Sequence, residues 1–164
     1  MKNIFKPALM LLTAITLLTA CSKDKSIERQ IQKKDGVWNI DNFAWNVVEQ
    51  TSSPSQNIFS GSTSNAGTFT FDNNGTGKYS YTVADTIQRT GTFSWTVDNE
   101  KVSMVSATQS VNYSNYSVTQ KAVTYSGADV SKTKMTVTGS EVDQYSSGNV
   151  TQFTISGTMT LSKK

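Results

Sequence analysis

Three segments of this chain repeat one short pattern, and that pattern leaves little room for anything but β-structure. They are Gly67-Thr68-Phe69-Thr70-Phe71, Gly91-Thr92-Phe93-Ser94-Trp95 and Gly157-Thr158-Met159-Thr160-Leu161. In each, a glycine opens the segment, large apolar residues take the third and fifth places, and hydroxyl residues fill the gaps. Strand side chains alternate between faces, so the apolar pair points one way and the hydroxyls the other. The period is two, not the 3.6 of a helix. The three segments predict three half-buried strands facing one core.

The same texture runs from Gly36 to the end of the chain. Ser and Thr are abundant, and there are only 2 prolines in the whole sequence. The alternation predicts eight strands: Val37–Val48, Thr68–Asp72, Lys78–Val83, Arg89–Val97, Lys101–Ala107, Ser117–Tyr125, Lys132–Thr138 and Val150–Leu161. In the first, Trp38 and Ile40 share one parity while Phe43, Trp45 and Val47 share the other, so a bulge near Asp41 is expected. Asp72-Asn73-Asn74-Gly75-Thr76-Gly77 and Asp98-Asn99-Glu100-Lys101 are turn sequences, since Asn and Gly tolerate positive φ. The first also faintly resembles a calcium loop, but no distal acidic ligand follows. Thr51 to Ala66 reads as a long Ser/Asn-rich connection. Ser106 to Tyr116, with Tyr113 and Tyr116, reads as loop or strand extension. Eight antiparallel strands in meander order predict a sheet closed on itself, because closure removes the exposed edges.

The N-terminus carries a different signal. Lys2 and Lys6 precede an almost wholly apolar run from Ala8 to Ala20, too short for the ~20 residues a membrane span needs but suited to a signal peptide. Leu18-Thr19-Ala20-Cys21 ends that run and holds the single cysteine. It resembles the lipobox of bacterial lipoproteins. The resemblance implies cleavage of residues 1–20, lipidation of Cys21, and a protein held on the outer membrane, facing the periplasm or the cell surface. Residues 21–35 then read as a polar, solvated tether. Ile27 and Ile31 are spaced for a turn or two of amphipathic helix within it. Residues 36–164 form the folded domain. Loss of Lys2 and Lys6 leaves 13 of the 15 basic residues against 12 acidic ones, so the net charge drops from +3 to +1. A near-neutral domain with scattered basic residues has no footprint for nucleic acid.

Gly36-Val37-Trp38, at the head of the first strand, is similar to the G-x-W signature of lipocalins. The stretches Phe69 to Gly77 and Gly91 to Asp98 resemble the second-to-fourth strand region of small lipocalin-like lipoproteins of Bacteroidota. The resemblance implies an eight-stranded antiparallel up-and-down barrel with Trp38 closing one end. In lipocalins a late arginine packs on that tryptophan. Here no arginine follows Arg89, and only Lys163 and Lys164 stand near the C-terminus. The second lipocalin motif, of T-D-Y type, is missing.

Little in the chain can do reaction chemistry. It has no histidine, and its one thiol is assigned to lipid. Ser/His and Cys/His nucleophile pairs are excluded, as are metal sites built on nitrogen and sulfur. No cofactor or metal is expected, and the protein is read as non-enzymatic. Among the sparse acids Asp85, Asp129, Glu141 and Asp143, the last pair would share a strand face, and near a strand end they read as solvated charges. Asp85-Thr86-Ile87 resembles the O-glycosylation acceptor of Bacteroidota, making Thr86 a candidate site.

Two functional readings follow. In the first, the barrel holds a small apolar or amphipathic molecule, or a glycan, lined by Tyr79, Tyr81, Phe93 and Trp95, because alternate residues of adjacent strands point the same way. In the second, those rings fill a solid core, and the long connections 51–66 and 106–116 bind a protein partner.

Overall fold

The computed structural model describes residues 23–50, 56–84, 87–112, 117–147 and 149–164. Cys21 and the signal segment, Thr86, and Tyr113 and Tyr116 lie outside the described residues.

Ten strands make one antiparallel sheet: β1 (Val37–Glu49), β2 (Gln56–Phe71), β3 (Thr76–Val83), β4 (Ile87–Asp98), β5 (Lys101–Ser106), β6 (Gln109–Asn112), β7 (Ser117–Gln120), β8 (Thr124–Ala128), β9 (Lys134–Ser147) and β10 (Asn149–Lys163). The circuit β1-β2-β3-β4-β5-β8-β9-β10 closes by the pairing of β10 with β1, giving the expected eight-stranded barrel. The apolar pairs of all three Gly-Thr segments point inward, and Phe69, Phe71, Phe93, Trp95, Met159 and Leu161 are all buried.

β6 and β7 are continuations of β5 and β8. Val105 pairs with Thr124 and Gln109 with Gln120, so the hairpin register is kept across the break at 107–108 and 121–123. Hydroxyls bridge that break: Val123 N–H donates to Ser106 Oγ at 3.2 Å and Ala122 N–H to Thr108 Oγ1 at 3.0 Å. Against β9 the register slips by one residue, from Thr124↔Ser140 to Gln120↔Asp143. The slip changes which parity faces inward. Val123, Tyr125 and Gly127 point into the barrel on one side of it, and Gln120 on the other.

The expected bulge in β1 is present, as a register shift between Ile40 and Asn42 against both neighbours. The two turn sequences form turns. Asn99 and Glu100 both have positive φ, the backbone of a tight hairpin. In the other, Asn74 Oδ1 accepts from Thr76 N–H at 3.1 Å and Thr76 Oγ1 at 2.6 Å, so its oxygen serves the turn itself.

Several connections differ from expectation. Residues 56–66, read as part of a long loop, are strand: Thr63 and Ala66 are buried against β1, and this inward patterning is too sparse among Ser, Asn and Gly to register as alternation. Residues 109–112 are strand extension. β9 runs to Ser147 rather than stopping at Thr138, which carries Glu141 and Asp143 inside the barrel instead of leaving them solvated.

Residues 23–32, read as solvated tether, form a helix, α1. Ile31 is fully buried within the core and Ile27 packs against it, so the i, i+4 pair supplies an apolar stripe. The helix start meets the β4–β5 turn, where Asp24 accepts from Glu100 N–H at 2.8 Å and Lys23 pairs with Glu100 at 2.7 Å. Its end meets β1 and β10. α1 therefore lies across one end of the barrel.

Candidate functional site

The side chains filling the barrel change in polarity from one end to the other. At the α1 end, Trp38 is fully buried, and its Nε1 donates to the Ile31 carbonyl at 3.0 Å. Lys163 Nζ donates to the same carbonyl and lies 4.5 Å from the centre of the Trp38 ring. The lysine thus covers the tryptophan at this end of the barrel. Gly36 must be glycine here: its φ is +68°, and a Cβ would lie 2.0 Å from the Phe71 carbonyl oxygen.

Above this plug is an aromatic layer. The Phe69 ring centre lies 5.7–6.4 Å from those of Phe71, Tyr79, Tyr81, Phe93 and Tyr125. Such spacings are those of packed rings. Tyr79, Tyr81, Phe93 and Trp95, the four residues singled out in the sequence, are brought together and are each at most 5% exposed. Trp95 Nε1 donates to the Thr76 carbonyl at 2.9 Å, which fixes the indole.

Toward the opposite end lies a charged network that sequence reasoning missed. Glu141 Oε2 accepts from Gln120 Nε2 at 2.6 Å and Tyr81 OH at 3.1 Å, with Tyr125 OH at 3.4 Å. Its Oε1 accepts from Arg89 Nε at 3.1 Å, and Arg89 Nη2 pairs with Asp143 Oδ2. Tyr81 and Tyr125 hydroxyls are 2.9 Å apart. Glu141 and Asp143 side chains are 3% and 1% exposed, and that of Arg89 is 11% exposed.

One cation between two carboxylates leaves the network short of positive charge. Burial raises the Asp143 pKa to about 6; Arg89 opposes that rise and Glu141 adds to it. Asp143 Oδ1 is buried with no hydrogen-bond partner. Burial also pushes the Tyr81 and Tyr125 hydroxyls well above their usual range, with the Glu141 charge adding to the effect. They are neutral donors, not bases or nucleophiles. Among the described residues no group of three or more His, Cys, Asp and Glu side chains is placed to hold a metal.

The signal that finds this network is parity. Gly91, Phe93 and Trp95 extend backward by twos to Arg89, and Met135 and Val137 extend forward to Glu141 and Asp143. Gln120 is invisible to that rule because the β7–β8 slip intervenes.

Among the described residues the core side chains pack closely. Between Phe43, Tyr81, Tyr125, Gly139, Glu141 and Ile155 is a void of about 10 Å³, room for about one water. A broader depression of about 500 Å³ lies where Lys78, Thr92, Ser94 and Val105 face outward on β3, β4 and β5. No protein-family model matches this chain, and no curated protein is significantly similar to it.

Proposed function

We propose that this chain is a lipid-anchored, non-catalytic envelope protein whose barrel is a rigid scaffold that binds through its surface. The observation that carries the reading is the packing of the described core, where the rings of Tyr79, Tyr81, Phe93 and Tyr125 all lie against Phe69. A small-molecule site takes roughly 300 Å³ or more, and the void beside Glu141 is about 10 Å³. A ligand lined by Tyr79, Tyr81, Phe93 and Trp95 would have to displace rings that pack on one another. The buried tyrosines are held neutral and the carboxylates are engaged by Arg89, which supports a structural rather than catalytic role for the network. The anchor rests on Leu18-Thr19-Ala20-Cys21, whose lipobox character supports an outer-membrane address. Among the described residues no helix is long and apolar enough to cross a membrane.

A small amphipathic ligand at the end of the barrel opposite α1 is the second reading. It is favoured by one atom, Asp143 Oδ1, which is buried and unpartnered and would accept from a donor on such a ligand.

Native mass spectrometry of the full chain, extracted from its own membranes in detergent, separates the two. The expected mass is that of the acylated polypeptide, alone or with polypeptide partners. A stoichiometric small molecule that is released on unfolding would overturn the surface reading in favour of the second.

A further inference from the structure

We propose that the free edge of β2 is the surface through which two copies of this chain associate, antiparallel and edge to edge. The inference rests on the surface-binding reading above and names its partner. β1 pairs with β2 along nearly its whole length, from Val37↔Thr70 to Glu49↔Gln56. On its other side β2 pairs with β3 only from Gly67 to Phe71. β3 cannot follow it further, because its hairpin with β4 turns back at Val83↔Ile87. Among the described residues, no strand pairs with the second edge of β2 between Gln56 and Ala66. Along that edge every second residue turns its N–H and C=O outward, unpaired with any described strand.

Strand edges left open in soluble proteins are usually guarded by charge, proline or bulges. Residues 56–66 contain no charged residue and no proline. Their bulges fall only at the margins, opposite Val47/Val48 and Ile40/Asn42. Between them Phe59 to Ser64 pair with β1 in unbroken register. Ile58 and Phe59 are 45% and 40% exposed, two of the three large apolar side chains so exposed among the described residues. Phe59 packs edge-on against Trp45, with ring centres 5.5 Å apart.

The chemistry of the edge selects a second copy. An antiparallel strand pair about a two-fold axis is self-complementary, and it closes after two chains rather than growing. Self-pairing of an uncharged segment brings no like charges together. A charged peptide would find no counter-charge on it. Ser60, Ser62 and Ser64 are exposed, small, and on the outward face, so self-pairing sets no bulky side chains against one another there. A two-fold axis normal to the sheet, passing at Gly61 or Ser62, keeps Phe59 on the inner face in both copies. Ser62 then lies opposite or diagonal to its own counterpart.

The test uses the full chain in detergent, by sedimentation velocity over a range of concentrations. A dimer is expected. Ser62→Glu and Ser62→Lys, each on an exposed side chain, should each weaken it about fivefold through like-charge repulsion across the pair. An equimolar mixture of the two variants should restore it. Ser62→Cys with the axis at Ser62, or the Ser60→Cys and Ser62→Cys pair mixed with the axis at Gly61, should form an intermolecular disulfide, whereas Ser126→Cys, on β8 with neighbours on both sides, should not. A chain that stays monomeric, or a dimer indifferent to both charges and cross-linking equally at Ser126, overturns the proposal. The surface-binding reading fails separately, on a small molecule in the native mass spectrum.

Discussion

The Lys163 ammonium and the Trp38 indole share one acceptor, the Ile31 carbonyl, while the ammonium also lies 4.5 Å from the centre of the indole ring. The end of α1 and the start of β1, seven residues apart, there meet the end of β10, 132 residues further along the chain. The contact ties those elements together at that end of the barrel.

Lys163→Met is expected to cost about 1–3 kcal/mol, from the cation–ring contact and the hydrogen bond to the carbonyl. Lys163→Arg should recover most of that loss, since a guanidinium stacks on an indole at least as well. Urea denaturation of the two variants checks this. Equal loss in both would show that only the aliphatic stem of Lys163 matters.

Asp143 should make stability depend on pH in the direction opposite to most carboxylates. Its pKa is raised to about 6 in the folded chain, against about 3.9 unfolded. The folded state therefore holds the extra proton between those values. This contribution is fully present below about pH 4 and is lost as pH rises through 6. The amount is on the order of 2–3 kcal/mol. Asp143→Asn should remove that slope and match or exceed the stability of the parent at pH 7. A parent-like slope in the variant would assign the titration elsewhere.

Ile31→Ala should destabilise the fold by about 2–4 kcal/mol, the usual cost of a cavity at a fully buried aliphatic site. A loss below about half a kcal/mol, the range of surface substitutions, would return residues 23–32 to the role of a spacer. Thermal unfolding followed by circular dichroism is sufficient.

Cys21→Ala should move the protein from the membrane fraction to the soluble one. Each buried acyl carbon contributes about 0.8 kcal/mol, so two or three chains hold a domain almost permanently. Fractionation unchanged by the substitution would remove the lipid anchor from the proposed function.

The closed β-fold was legible in the chain because strand alternation is a local property. Phe69 and Phe71, Phe93 and Trp95, and Met159 and Leu161 each declare an inward face within five residues, and Asn99-Glu100 declares a tight turn by itself. The kink near Asp41 was legible for the same reason, as a switch in parity inside one strand. What the tertiary structure alone decided is where those local faces point and what they meet. Ile31 looked like part of a spacer until the open end of a barrel offered it a place to be buried. Glu141 and Asp143 looked solvated until β9 proved long enough to carry them inward to Arg89, 52 and 54 residues away in the chain. Gln120 faces Glu141 only because a one-residue slip between two paired strands reverses its side. The free edge of β2 exists because the β3–β4 hairpin is shorter than its neighbour. Pairing length, register and burial depend on partners far along the chain, and no window of local sequence contains them.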